Sequence, residues 1–225
     1  MKLSVVIPVY NEEKDIRAAI QDVVDFLPDA EIVVVNDAST DRTLDILHSM
    51  SLPNLRIITN EKNMGHGYTV MTGLRAATGD NILYIDADRQ IDLSNFKRIP
   101  SENLDIFDVI SGWRTTRQDK LFRKITSFGL KMTILFRYGY YIKDSNCPFK
   151  IYNREALEEI LPKVPKTNVI PIACLEVLAR KEGMLVAIIN TPHKPYDGVR
   201  DGFLQIPNKK FFKFVWSAFK EIVRL

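Results

Sequence analysis

Asp86-Ala87-Asp88, followed by Arg89-Gln90, has the sharpest chemical content in this 225-residue sequence. Two carboxylates one residue apart repel each other unless a cation lies nearby. A hard divalent ion such as Mg²⁺ or Mn²⁺ takes one or two such carboxylates and completes its shell with phosphate oxygens and water. Gln90 adds a neutral oxygen on the same turn. A solvated Asp-x-Asp turn is the plainer alternative, so the setting has to decide. Two other clusters share that setting: Pro8-Val9-Tyr10-Asn11-Glu12 and Asn36-Asp37-Ala38-Ser39-Thr40-Asp41. Asp37 suits the ring N–H of uracil or of guanine and separates neither; as a helix N-cap it would be structural. Tyr10 could pack on a base or ribose, or in a core.

The elements around these clusters place them together. Leu3–Val9 is a continuous β-branched run, as a strand buried on both faces requires. Asn11 is placed to cap a helix with Ile16, Ile20, Val23, Val24 and Leu27 on one face. Further strands are expected at 31–35, 55–59 and 81–85. Helices are expected around Leu44–Met50 and at 68–77, the latter ended by Gly79. Strand and helix alternating at this spacing imply βαβ units and a mainly parallel sheet. Beyond residue 105 the pattern loosens. A strand at 108–112, helices at 121–141, 153–161 and 174–182, and a late strand at 185–190 are expected. The three polar clusters follow strands one, two and four, and parallel strands bring them to one sheet edge, where open α/β sheets bind ligands. That convergence favours a metal at Asp86-Ala87-Asp88 over a solvated turn.

Other chemistries find little support. Gly65-His66-Gly67 begins like a dinucleotide fingerprint, but Val70 stands at the third glycine position. There is no Gly-Lys-Ser/Thr phosphate loop, no Gly-x-Ser-x-Gly, and no zinc spacing among three histidines and two cysteines. The longest stretch without Lys, Arg, Asp or Glu is 12 residues, far short of the roughly 20 a spanning helix needs. Leu3–Val9 is too short for a signal peptide, and two cysteines make no disulfide framework, so a cytoplasmic chain is expected.

The composition is 46% hydrophobic and 26% charged, enough apolar content for a core and unlike a disordered chain. One domain over 1–225 is expected, without internal repeats. The net charge of +3 conceals an asymmetry. Residues 1–110 hold 10 Lys/Arg against 18 Asp/Glu, whereas residues 111–225 hold 21 against 10. The acidic half suits cations and the basic half an anionic surface. Between Arg114 and Lys143, eight basic residues face Asp119 alone, interleaved with Phe122, Ile125, Phe128 and Phe136. Residues 209–225 repeat that mixture with Lys209, Lys213 and Lys220 among Phe211, Phe212 and Trp216. Such basic, aromatic, amphipathic helices lie well in an anionic membrane interface, and can instead pack on the domain or a partner subunit. An acidic metal pocket and no recognisable binding module argue against nucleic acid.

At these residues the chain resembles the family-two glycosyltransferases, and within them the dolichyl- or polyprenyl-phosphate sugar transferases. The resemblance is carried by residues 6–13, 34–42, 63–65, 83–90 and 143–150, the last pointing to the polyprenyl-phosphate branch. It implies a Rossmann-like, nucleotide-sugar-binding GT-A fold with a basic C-terminal elaboration. Residues 1–110 would serve donor and metal, 111–208 the acceptor, and 209–225 would form a basic amphipathic tail. Pro8, Tyr10, Asn11, Glu12 and Asp37 would hold the nucleoside. Asp86 would contact ribose or diphosphate, and Asp88 and Gln90 would hold Mg²⁺ or Mn²⁺. Arg114 and Lys150 would face phosphate groups of donor or acceptor, and Glu176 matches a recurrent acidic position. The implied reaction moves a sugar, with inversion, from a UDP- or GDP-sugar to a polyprenyl phosphate, by a protein peripheral on the cytoplasmic face of a membrane. An oligomer is compatible with this. The same fold could glycosylate a saccharide or protein hydroxyl, or serve as a silent membrane-bound relative. Asn36 stands where an aspartate is common and Pro148 where a glycine is usual, and 193–202 with Arg200 matches the acceptor loop loosely.

Overall fold

Continuous runs of Val and Ile with no polar alternation can only be satisfied between two layers of helices. The computed structural model, which describes residues 2–115, 121–166, 169–192 and 209–225, shows that arrangement. The chain order is β1 (Leu3–Val9), α1 (Ile16–Phe26), β2 (Glu31–Asn36), α2 (Thr43–His48), β3 (Leu55–Thr59), α3 (His66–Ala76) and β4 (Asn81–Ile85). The short α4 (Asn103–Ile106), β5 (Val109–Arg114), α5 (Leu121–Tyr138), β6 (Phe149–Asn153), α6 (Arg154–Ile160), α7 (Pro171–Lys181), β7 (Val186–Thr191) and α8 (Lys209–Arg224) follow.

The strands form one seven-stranded sheet in the order β3-β2-β1-β4-β6-β5-β7. β6 runs antiparallel to β4 and β5, while the other pairings are parallel. Side-chain parity divides the core. Val6, Val33, Val35 and Ile82 face a layer that includes Met71 of α3, Leu175 of α7 and Ile222 of α8. Val5, Ile7, Ile32, Val34 and Leu83 face Ile16 and Ile20 of α1 and Leu47 of α2.

Four expectations change. β6 is an additional strand: its five residues include Lys150 and Asn153, so no continuous apolar run marks it in the sequence. Asn11 does not cap α1, which starts at Ile16 behind Asp15. Instead Asn11 adopts φ 54° and ties two loops together. α7 begins at Pro171, earlier than expected, because proline suits a first helical position. Gly79 does not end α3, which runs from His66 to Ala76 with Ala77 as its cap; glycine is needed there because the backbone of Lys2 and Ser4 comes within 2.7 Å of where a Cβ would sit. The expected acceptor loop at 193–202, Arg200 included, lies outside the described residues.

α3 approaches the sheet over Gly73, where an added Cβ would meet Val6 Cγ1 at 2.4 Å and Val35 Cγ2 at 3.1 Å. Gly73→Ala should therefore lose about 1–3 kcal/mol through overpacking, despite the better helix propensity of alanine. Chemical denaturation measures it, and unchanged or increased stability would show that the helix can move away.

Candidate active site

Among the described residues, three non-glycine residues have φ in the left-handed region: Asn11 (54°), Ala38 (55°) and Arg89 (55°). They sit in the loops leaving the carboxyl ends of β1, β2 and β4, so strain of about 1 kcal/mol each gathers at one sheet edge. Surrounding bonds hold it there. The Asn11 N–H donates to Ser39 Oγ (3.0 Å), and Asn11 Oδ1 accepts from the Thr40 N–H (2.8 Å). The Glu12 N–H donates to Thr43 Oγ1 (2.9 Å), and the Glu13 N–H to Asp41 Oδ2 (3.1 Å). Asn11 thus acts first on protein, closing the β1 and β2 loops into one wall. Pro8 is buried in β1, Glu12 is half-buried in the wall, and Tyr10 is 45% exposed, which rules out the core-packing alternative for its ring.

Asp37 departs from expectation. Its carboxylate is buried and accepts from Asn60 Nδ2, the Met64 N–H and the Gly65 N–H, each at 2.8 Å. It anchors the 60–65 loop that opens α3 rather than offering a bare carboxylate to a base.

The acidic turn is held from both sides. Tyr84 is buried in β4 and donates its phenol hydrogen to Asp86 Oδ1 at 2.7 Å, with His66 Nε2 3.2 Å from the same phenol oxygen. Burial, together with the Asp86 charge, pushes the Tyr84 phenol well above its ordinary range, so it remains a donor. Asp88 is nearly buried and its Oδ1 accepts from the Gln90 N–H at 3.1 Å. Arg89 turns away and grips Asp22 of α1 with two bonds, at 2.7 and 3.0 Å. The donor set therefore offers two carboxylates and an amide oxygen, which fits a hard cation that retains sites for phosphate and water. Among the described residues no three His, Cys, Asp or Glu side chains converge as a metal cage. His66 and Tyr84 were not singled out as site residues. Their signals were position alone: Tyr84 shares the Asp86 face of β4, and His66 opens α3 beside it. Tyr84→Phe should weaken divalent-cation and nucleotide affinity about tenfold by freeing Asp86 to turn, as outer hydrogen-bond partners do elsewhere. Calorimetric titration tests it, and unchanged affinity would make the Tyr84 bond incidental.

A second site lies at the end of β5. Arg114 donates from Nε and Nη2 to the two oxygens of Asp144, at 2.7 and 2.9 Å. Beside it a cavity of about 400 Å³ is lined by Trp113, Lys124, Phe128, Lys131, Tyr141 and Lys143. The Lys143 ammonium lies 4.0 Å over the Trp113 ring. A second cavity of about 150 Å³ shares Ser127, Lys131 and Asp144 and runs between α5 and α8 along Leu130, Phe211, Phe214 and Phe219. Cys147 is buried nearby with its thiol pushed up to about 12, so it stays a neutral packing group. Lys150 does not face a phosphate: it has no exposed surface and its ammonium is paired with Glu176 of α7.

The basic, aromatic helices become an observed pair. α8 packs on α5 and is latched by Glu221, whose buried carboxylate accepts from the Val169 N–H (2.8 Å) and Ile170 N–H (3.1 Å) ahead of α7. Their outer faces leave Ile125, Phe128, Phe136, Phe212 and Trp216 exposed, Phe136 at 85%. No helix among the described residues is long and apolar enough to cross a membrane.

This sheet, with strained acidic loops at the carboxyl ends of its parallel strands, is the GT-A fold of glycosyltransferases. The Glycosyl transferase family 2 model matches residues 4–161, and the chain belongs to that family of enzymes. A dolichyl-phosphate beta-glucosyltransferase of Trichomonas vaginalis is 28% identical over 218 residues, 87% of this chain and 67% of that protein. An undecaprenyl-phosphate 4-deoxy-4-formamido-L-arabinose transferase of Pectobacterium carotovorum is 32% identical over 186 residues, 80% of this chain. The chain spans 57% of that relative's length. Among solved structures, glucosyl-3-phosphoglycerate synthase of Mycobacterium tuberculosis with Mn²⁺ and UDP-glucose superposes with a TM-score of 0.71 at 16% identity, over 99% of this chain and 78% of that one. A mannosyltransferase of Pyrobaculum calidifontis with GDP-mannose and Mn²⁺ gives 0.60 at 18% identity, over 88% and 58%.

Proposed function

We propose that this chain transfers a sugar, with inversion, from a nucleotide-sugar to a polyprenyl phosphate at a membrane surface. The observation that carries the reading is the basic cavity at Arg114 sharing a wall with the apolar groove between α5 and α8. A phosphate with a hydrocarbon tail has this distribution of chemistry. The two relatives described above are named for acceptors of that class. Residues 1–110 would bind donor and metal, 111–208 the acceptor, and 209–225 would help hold the membrane.

On the donor side, Tyr10 offers an open ring face to the base or ribose, beside Pro8, Asn11 and Glu12. Asp37 contributes by fixing the neighbouring loop. Asp88 and Gln90 would hold Mg²⁺ or Mn²⁺, with Asp86 oriented toward ribose or diphosphate. When bound, that ion supplies Lewis-acid stabilisation of the departing diphosphate. On the acceptor side, Arg114, held by Asp144, would meet the lipid phosphate as a charge-assisted donor. The phosphate is already anionic near neutral pH, so the reaction needs no general base to make the nucleophile.

The outer faces of α5 and α8 would rest on the cytoplasmic face of the membrane, apolar rings inward and lysines toward anionic headgroups. Phe212→Ser with Trp216→Ser should weaken binding to anionic liposomes at least roughly tenfold, since each ring contributes one to a few kcal/mol when buried. Both side chains are exposed, so the fold should survive. Equal sedimentation with liposomes would return these helices to a packing role.

The activity test incubates the protein with Mn²⁺ or Mg²⁺, undecaprenyl phosphate and a panel of UDP- and GDP-sugars, with EDTA controls. Glycosylated lipid, detected by mass spectrometry and lost with EDTA, is the expected result. Nucleotide binding without lipid product would overturn the acceptor assignment in favour of a hydroxyl. No nucleotide binding would leave a silent relative.

A further inference from the structure

A lysine in the buried part of a strand requires a partner for each hydrogen of its ammonium. Lys150 is 0% exposed and donates to Glu176 Oε2 and Ser111 Oγ, with the Asp144 carbonyl oxygen at 3.4 Å. An ammonium has three hydrogens, and these acceptors take all three. Glu176, 1% exposed on α7, also accepts from Ser111 Oγ at 2.9 Å and lies 3.4 Å from Arg180 Nη2.

The same residue, Asp144, links this buried cluster to the basic cavity. Its backbone carbonyl faces Lys150, while its carboxylate takes Arg114 in two bonds. Side-chain parity explains the placement: Phe149 and Ile151 face the α1 layer, so Lys150 and Tyr152 face α7. A buried ion pair gives little net stability compared with apolar residues of equal volume, but it can enforce one register and orientation.

We infer that Lys150 and Glu176 are positioning residues for the transfer reaction. Their ion pair fixes the 144–147 loop, and through Asp144 it aims Arg114 into the basic cavity; neither side chain touches phosphate. This deepens the acceptor assignment above and rests on it.

Lys150→Met, Glu176→Gln and the double variant test it. K150M alone should lower Tm by roughly 10 °C, because Glu176 is left buried and unpaired. K150M/E176Q should regain most of that loss. With undecaprenyl phosphate it should show kcat within about threefold of the parent and an acceptor KM roughly tenfold higher, from a misaimed Arg114, with donor KM unchanged. A stable double variant with kcat reduced about 10²-fold would overturn the inference, because the Lys150 charge would then act on substrate. Unchanged acceptor KM would also overturn it, leaving only a structural role.

If the double variant does not fold, acetylation of the parent protein with acetic anhydride, mapped by mass spectrometry, remains decisive. Lys143 and Lys131 should be modified and Lys150 spared. Modification of Lys150 that inorganic pyrophosphate blocks would overturn the inference. The Tm and acetylation measurements require no turnover, so failure of the acceptor assignment shows separately, as a parent protein that transfers nothing to lipid.

Discussion

Asp88→Asn is expected to reduce sugar transfer about 10²- to 10³-fold while leaving the fold intact. The amide has nearly the shape of the carboxylate, and its oxygen can still accept from the Gln90 N–H, bonded at 3.1 Å in the parent. What disappears is one negative charge in a nearly buried position, where a divalent ion would otherwise be neutralised. The loss should appear in kcat and in the Mn²⁺ concentration needed for half activity, because charge stabilisation of the leaving diphosphate is a transition-state effect. The assay should use metal well below saturation. Near-parental turnover under those conditions would remove Asp88 from the metal site and return the acidic turn to a structural role.

Arg114→Ala should be the second large loss, about 10²-fold or more in kcat/KM for the lipid acceptor. Two effects combine. The cavity loses the cation proposed to meet the phosphate, and Asp144, 7% exposed, loses the partner that neutralises it. Arg114→Ala combined with Asp144→Asn separates them. The added substitution should restore thermal stability without restoring acceptor affinity. Arg114→Lys should remain deficient, because an ammonium does not reproduce the planar pair of N–H donors. Donor binding, measured by calorimetry, should not change in any of these variants. An equal fall in donor affinity would place Arg114 on the donor diphosphate instead.

The first half of the chain was legible because β1, β2 and β4 are buried on both faces and read as near-continuous apolar runs. Leu3–Val9 matches β1, and 31–35, 55–59 and 81–85 fall on β2, β3 and β4 within a residue. Once those strands are parallel, Asp86, Asp37 and Asn11 must share an edge whatever the loops do. The loops then reassigned individual side chains. Asp37 is turned inward by three N–H donors of the 60–65 segment, and Asn11 accepts from Thr40 across the β1–β2 gap. Such bonds join residues 23 to 29 positions apart, and no local pattern encodes them.

What the sequence determined by itself was the class of fold, the edge that holds the site, and the separation of an acidic half from a basic one. These follow from periodicity, strand order and composition, which are local or additive properties. Only the tertiary structure decided which charged groups face the cleft. Lys150 and Arg114 look interchangeable in sequence, each a cation beside a polar segment. Insertion of β6 between β4 and β5 buries Lys150 against Glu176 and leaves Arg114 at a strand end beside the basic cavity. The difference is one of desolvation: a buried cation must find its counter-charge within the protein, and the fold supplies it from 26 residues away.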